Sequence, residues 1–143
     1  MATMKTFLAL LACSAVSLSA AEAPDPCALL TAVQLESTFG KLKSAPKPDV
    51  GLQKEKECHY ENADGNSLVL RIYSADRWGM QKGINSENNP TMLAGLGSEA
   101  FMVKKGTDKE IYIRKGDWIL EIDSSADSEK VKALAGPAAA KLP

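Results

Sequence analysis

The sequence is poor in the residues that build metal and redox centres. One histidine and three cysteines stand among 143 residues. It contains neither a Cys-x-x-Cys pair nor a Gly-x-x-x-x-Gly-Lys-Ser/Thr run, which argues against zinc ribbons and phosphate loops. Neither sign of charge is in excess. Seventeen basic residues against 18 acidic ones give a net charge of −1, where a nucleic-acid binder normally carries a basic surplus. The one long apolar run, Phe7 to Leu18, is too short for a hydrocarbon core of ~30 Å. No transmembrane segment, cofactor or resident metal is therefore expected.

What is present is an ordinary globular composition, 45% hydrophobic and 24% charged, at a length suited to one domain. The first stretch reads as an export signal. Lys5 supplies a positive start, Phe7 to Leu18 an uncharged apolar stretch, and Ser19-Ala20-Ala21 the small residues of a cleavage site. Residues 1–21 are thus expected to be a signal peptide, and residues 22–143 a single periplasmic or secreted α+β domain. Leu10-Leu11-Ala12-Cys13 offers a competing reading as a lipoprotein box. Leu11 fits that box poorly and the downstream site is better formed, so a lipid anchor on Cys13 is the less favoured outcome.

Cleavage after Ala21 leaves two cysteines, Cys27 and Cys58. An even number in an exported chain reads as a disulfide. A reactive or metal-binding pair is the weaker alternative, because no suitably spaced histidine accompanies it.

Local patterns then set the elements. Asp25-Pro26 and Thr31 with Gln34 are helix-start signals, the second a capping box with Leu30 as its staple against Leu35. They predict a helix over 26–39 that Gly40 ends. Residues 41–45 are a candidate edge strand before Pro46 and Pro48. From Glu55 the period is two, and Asn62 to Asn66 is turn chemistry, so residues 55–73 read as a β-hairpin. Asp76 starts a weak short helix over 77–84, containing Gly79 and Gly83. Strands then follow over 99–104, 111–114 and 118–123 as a meander. A final helix starts at Ser124, Ser125 or Asp127 and is expected to kink or restart at Gly136-Pro137. The simplest fold is one antiparallel sheet of five to six strands, with the N- and C-terminal helices packed on one face.

Asp25-Pro26-Cys27-Ala28-Leu29-Leu30-Thr31, Gly40, Cys58-His59-Tyr60, Gly95-Leu96-Gly97-Ser98-Glu99-Ala100-Phe101 and Lys115-Gly116-Asp117 together form a pattern. It resembles a family of small bacterial exported domains of unknown function, often lipoproteins. The resemblance covers nearly all of residues 25–142. It implies an α+β fold and an envelope setting, and brings no catalytic residue.

Among chemistry-bearing residues, Gly95-Leu96-Gly97 reads as a turn with positive φ rather than a phosphate loop. His59 falls on the polar strand face with Glu55, Glu57 and Glu61. A pH sensor or weak metal ligand is the functional reading there, and a solvated histidine the favoured one. Trp118 is expected in the core, whereas Trp78 is open to either assignment. Neither Ser67 nor Ser98 belongs to a nucleophile motif, so no catalytic residue is expected. The candidate interaction surface is the sheet face opposite the core, carrying Val69, Arg71, Tyr73, Tyr112, Arg114 and Ile119. Tyr and Arg are favoured in recognition surfaces. On that reading the chain is a non-enzymatic binding module for an envelope protein or a small ligand. Replacing Arg71 and Tyr112 by Ala should then spare stability and abolish binding. The alternatives are a small hydrolase using His59, or an enzyme inhibitor using a protruding loop over 85–97. Intact-mass spectrometry of the natural protein tests the export reading: the expected mass begins at Glu22, carries no acyl chain and is two hydrogens short of the reduced chain.

Overall fold

The computed structural model describes residues 21–143. The signal peptide assigned to 1–21 and the Cys13 box therefore lie, except for Ala21, outside the described residues. The chain runs through a 3-10 turn at Pro26–Ala28, α1 (Ala32–Thr38), β1 (Lys47–Val50), β2 (Lys56–Glu61) and β3 (Ser67–Ser74). After a 3-10 turn at Ala75–Arg77 come α2 (Trp78–Asn85), a third such turn at Ser86–Asn88 and β4 (Thr91–Met92). β5 (Glu99–Lys105), β6 (Asp108–Lys115), β7 (Trp118–Ser124) and α3 (Ser128–Ala140) complete it. All pairings are antiparallel, and the seven strands lie in the order β1-β2-β3-β7-β6-β5-β4.

The sheet thus has more strands than the five to six expected. β4 and β1 are the additions, one at each edge. The expected edge strand over 41–45 is only a single bridge, between Leu42 and Asn62. The true edge strand starts later and includes Pro48, which an outermost strand tolerates because its missing N–H faces no neighbour.

The N-terminal helix is two pieces. Asp25 accepts from the Cys27 amide to start the 3-10 turn. Thr31 and Gln34 then close both halves of the capping box that starts α1. Thr31 in an extended conformation breaks the run between them. Asn62 fastens the end of this segment to the β2–β3 turn. Its buried amide donates to the Phe39 carbonyl at 2.6 Å, while its oxygen accepts from Asp64 and Asn66.

Alternation in the strands sorts side chains onto two faces. On the first, Leu68, Leu70, Ile72, Ile111, Ile113, Leu120 and Ile122 share one cluster with Leu35 and Phe39. Val131, Leu134, Ala135 and Ala138 of α3 belong to that cluster too. Cys27 and Cys58 are bridged there, across a separation of 31 residues. Closing a loop of that size is worth about 3–4 kcal/mol in the chain-entropy model. Trp118, expected in the core, packs against this cluster while only partly buried. α3 is capped by Asp127 and continues through Pro137 without the expected restart. The Lys115 ammonium donates to the Ala139 and Leu142 carbonyls, holding the groups that the end of a helix leaves unpaired.

The second face is not left open. Trp78, the first residue of α2, is buried with Tyr73, Phe101, Val103, Tyr112 and Ile119 in a separate cluster. Its ring lies 5.4 Å from Phe101, which stacks on Tyr112 at 5.0 Å. The two glycines of α2 weaken the helix by about 1 kcal/mol each relative to alanine. The Trp78 contact and its indole N–H bond to Glu99 hold the element in place.

Gly95 and Gly97 both have positive φ, +78° and +60°, as the turn reading required. They differ in their surroundings. A Cβ on Gly97 would stand 2.2 Å from the Arg114 carbonyl oxygen, whereas nothing lies within 4 Å of one on Gly95. Gly97→Ala is therefore expected to cost at least about 2 kcal/mol in urea unfolding, and Gly95→Ala about 1 kcal/mol, the backbone penalty alone.

Candidate functional site

The second sheet face carries a row of side chains that crosses all seven strands. Register places Asp49 opposite Glu57, Glu57 opposite Arg71, and Arg71 opposite Glu121. The row continues from Glu121 to Tyr112, Phe101 and Met92. Its half over β1, β2, β3 and β7 is charged. Its half over β6, β5 and β4 is aromatic and apolar, and α2 covers it at Trp78.

Arg71 is the centre of the charged half. Its Nε donates to Glu57 at 2.6 Å, and one terminal nitrogen donates to Glu121 at 2.6 Å and to Asp123 at 3.3 Å. Tyr73 adds its hydroxyl to Glu121 at 2.7 Å. One strand further on, Glu110 accepts from the Tyr112 hydroxyl and pairs with Lys105, both at 2.7 Å. Four carboxylates, Glu57, Glu110, Glu121 and Asp123, therefore share the two cations Arg71 and Lys105. Burial raises the pKa of Glu121 and of Asp123, against the pull of Arg71, and Glu110 adds to the rise. Burial also raises Tyr73 and Tyr112, with the Glu121 charge as the next cause. Both phenols stay protonated and serve as donors.

This arrangement corrects the exposed-surface expectation. Val69, Arg71, Tyr73, Tyr112, Arg114 and Ile119 do project away from the first cluster, as alternation requires. Tyr73, Tyr112 and Ile119 retain only 9%, 3% and 0% of their accessible surface and form the second core. Arg71 is clamped by three carboxylates. Val69 and Arg114 are half-buried, with one Arg114 nitrogen 3.9 Å from Glu99. Alanine at Arg71 and Tyr112 would strip a buried network and an aromatic stack, so that pair of replacements destabilises the protein rather than sparing it.

At the β1–β2 edge, His59 Nε2 lies 2.7 Å from Glu57 Oε2 and 3.9 Å from Asp49 Oδ2. Asp49 and His59 border an open cleft of about 370 Å³ that also meets Lys47, Glu61 and Ser67. The two serines considered beside His59 are engaged elsewhere: Ser67 with Ser125, Ser98 with the Arg114 carbonyl. The 85–97 segment is no free loop, since β4 pairs with β5 and the Leu93 amide donates to Ala100.

The segment joining β1 to β2 was not singled out by sequence. Gly51 and Glu55 are bonded backbone to backbone, and the Glu55 carboxylate accepts from the Gln53 amide at 2.8 Å. The Gln53 side chain accepts from Arg77 at 2.6 Å, tying the turn to the start of α2. On this braced turn Leu52 is fully exposed and Val50 is 64% exposed. Both border a cleft of about 430 Å³ that includes Glu55, Glu57, Arg71 and Tyr73. The available sequence signal was an apolar residue on either side of Gly51, in a stretch otherwise read as separators.

No family model and no curated protein matches the chain. Among solved structures, a GTP binding regulator from Thermotoga maritima is similar at 17% identity and a TM-score of 0.48. The match covers 69% of this chain and 77% of that one.

The raised pKa of Glu121 has a definite sign in stability. The folded protein keeps this proton to higher pH than the unfolded chain does, so the contribution is complete at low pH. It is lost as pH rises from the ordinary carboxylate range through the folded value. Relative to wild type, Glu121→Gln is therefore expected to gain stability as pH climbs from about 4 to 7. Urea denaturation at stepped pH measures the gap, and a gap independent of pH would contradict the assignment.

Proposed function

We propose that the chain is an exported cell-envelope domain that works by binding a partner protein rather than by catalysis, and that its recognition element is the β1–β2 turn. Export is supported by the signal pattern of residues 1–21 and by the Cys27–Cys58 bridge, a bond that persists in oxidising compartments. The resemblance to small exported domains points the same way. A free periplasmic or secreted form is favoured over a lipid anchor at Cys13.

The observation that carries the binding reading is the display of Val50 and Leu52. Isolated apolar residues on a surface are ordinary. Here two of them sit on a turn held from below by Glu55 and from the side by Arg77. Such a turn loses little conformational freedom on association, which favours affinity. It stands beside Asp49 and Glu55, with Lys54 exposed on the turn itself, so the partner surface would offer an apolar pocket rimmed by charges of both signs. Of the face first considered, Val69 and Arg114 remain partly exposed, Arg71 is held in the carboxylate network, and the aromatic residues serve as support beneath.

Val33 is a matched control, an apolar residue of α1 with 78% exposure. Chemical cross-linking in an envelope fraction, followed by affinity purification, compares the three positions. Val50→Ser with Leu52→Ser is expected to lower partner recovery at least tenfold, while Val33→Ser leaves it unchanged. All should keep wild-type stability to within about 0.5 kcal/mol. Equal recovery by the turn variant and wild type would overturn the proposal.

A further inference from the structure

Two clusters of three ligand-bearing side chains occur among the described residues: Glu110, Glu121 and Asp123, and Asp49, Glu57 and His59. The first is spent. Arg71 and Tyr73 take both oxygens of Glu121, and Arg71, Tyr112 and Lys105 already bind one oxygen each of Asp123 and Glu110, so two cations stand where an ion would sit. The second is different in composition and in geometry. It contains the sole imidazole of the chain, and each of its carboxylates has one oxygen held by the protein and the other turned toward that ring. In Glu57, Oε1 accepts from Arg71 Nε at 2.6 Å and Oε2 faces His59 Nε2 at 2.7 Å. In Asp49, Oδ1 accepts from the Val50 amide at 2.8 Å and Oδ2 faces His59 Nε2 at 3.9 Å.

We propose that Asp49, Glu57 and His59 form a binding site for a divalent transition-metal ion of the zinc type. Three donor atoms from adjacent positions of one antiparallel ladder converge, all within 4.8 Å of one another. Ligands at ~2.0–2.2 Å from a tetrahedral zinc stand roughly 3.4 Å apart, so the observed 2.7 and 3.9 Å separations bracket what the ion needs. Arg71 holds the non-ligating oxygen of Glu57, the second partner by which metal sites orient a carboxylate. The open cleft beside His59 leaves room for water to complete the coordination. A nitrogen donor with two carboxylates favours zinc, copper or nickel over magnesium and calcium, which prefer all-oxygen shells. Lys47 lies opposite His59 in the ladder and borders the same cleft, so its charge opposes the ion and sets a limit on affinity.

The single histidine gives a clean readout. The purified protein, disulfide intact, is titrated with zinc chloride by calorimetry, and with nickel chloride while the two ring-carbon protons of His59 are followed by NMR. Expected are one zinc per chain, broadening of the His59 signals at substoichiometric nickel, and no response to magnesium. His59→Gln and Asp49→Asn should each weaken zinc binding at least tenfold, and Lys47→Ala should tighten it severalfold. Both substituted ligands are exposed or half-exposed, so circular dichroism is expected to match wild type. Zinc binding unchanged in His59→Gln, or His59 signals unaffected by stoichiometric nickel, would overturn the site and leave only general attraction to surface carboxylates.

Discussion

The pairing of β3 with β7 is the constraint on which the rest depends. It joins residues 68–74 to residues 118–124 and fuses the N-terminal β1–β2–β3 unit to the C-terminal β4–β7 unit. Without it there are a three-stranded and a four-stranded sheet, and the first core, which draws residues from both, is divided. Its register is also specified twice. A slip of one residue would turn Leu68, Leu70 and Ile72 out of the first core. The same slip would carry Arg71 away from Glu121 and leave a buried charge on each strand unpaired. Apolar packing on one side and ion pairing on the other thus select the same alignment.

That double use of the sheet explains which parts of the fold were legible. The capping box at Thr31 and Gln34, the Asn62 turn, the positive φ of Gly95 and Gly97 and the meander all depend on a few neighbouring residues, and all appear where the local chemistry put them. The alternation also put the buried apolar residues of 68–73, 111–114 and 118–123 on the faces where the two clusters hold them. What alternation does not report is whether a face is covered. The clue was present in β5, where Ala100-Phe101-Met102-Val103 is apolar at consecutive positions, the pattern of a strand buried on both sides. Ile119 and Tyr112 extend that patch across the neighbouring strands. Read together, they required a cover, and the weak 77–84 helix with Trp78 at its start was the segment able to supply it.

The carboxylate network was illegible for a different reason. Glu57, Arg71, Glu121 and Asp123 each sit at an outward position of a strand, where a charged residue is the normal solvated choice. Their meeting depends on two registers taken together, β2 with β3 and β3 with β7. Even with the strands known, one residue of slip in either of them separates the group. Burial then follows from packing that is remote in sequence, the aromatic patch on one side and the β1–β2 turn on the other. Separations of 14 residues between Arg71 and Glu57, and of 50 between Arg71 and Glu121, lie beyond any local pattern.

Arginine at the centre of this group is more than one way to supply a positive charge. Its guanidinium meets Glu57 through Nε and meets Glu121 and Asp123 through a terminal nitrogen, so its plane is fixed from both neighbouring strands. A lysine ammonium has no such fork and would satisfy one side at a time. The consequence reaches the sheet edge. Glu57 is held by one oxygen from within the network and presents the other to His59, which makes it the link between the buried charges and the cleft beside Asp49. On its other side the network takes a phenol from Tyr73, whose ring belongs to the aromatic core under α2. The charged and the apolar halves of the face are therefore one mechanical unit, and the β1–β2 turn, anchored to Arg77 just before α2, closes it. A surface displayed on that turn inherits its rigidity from both.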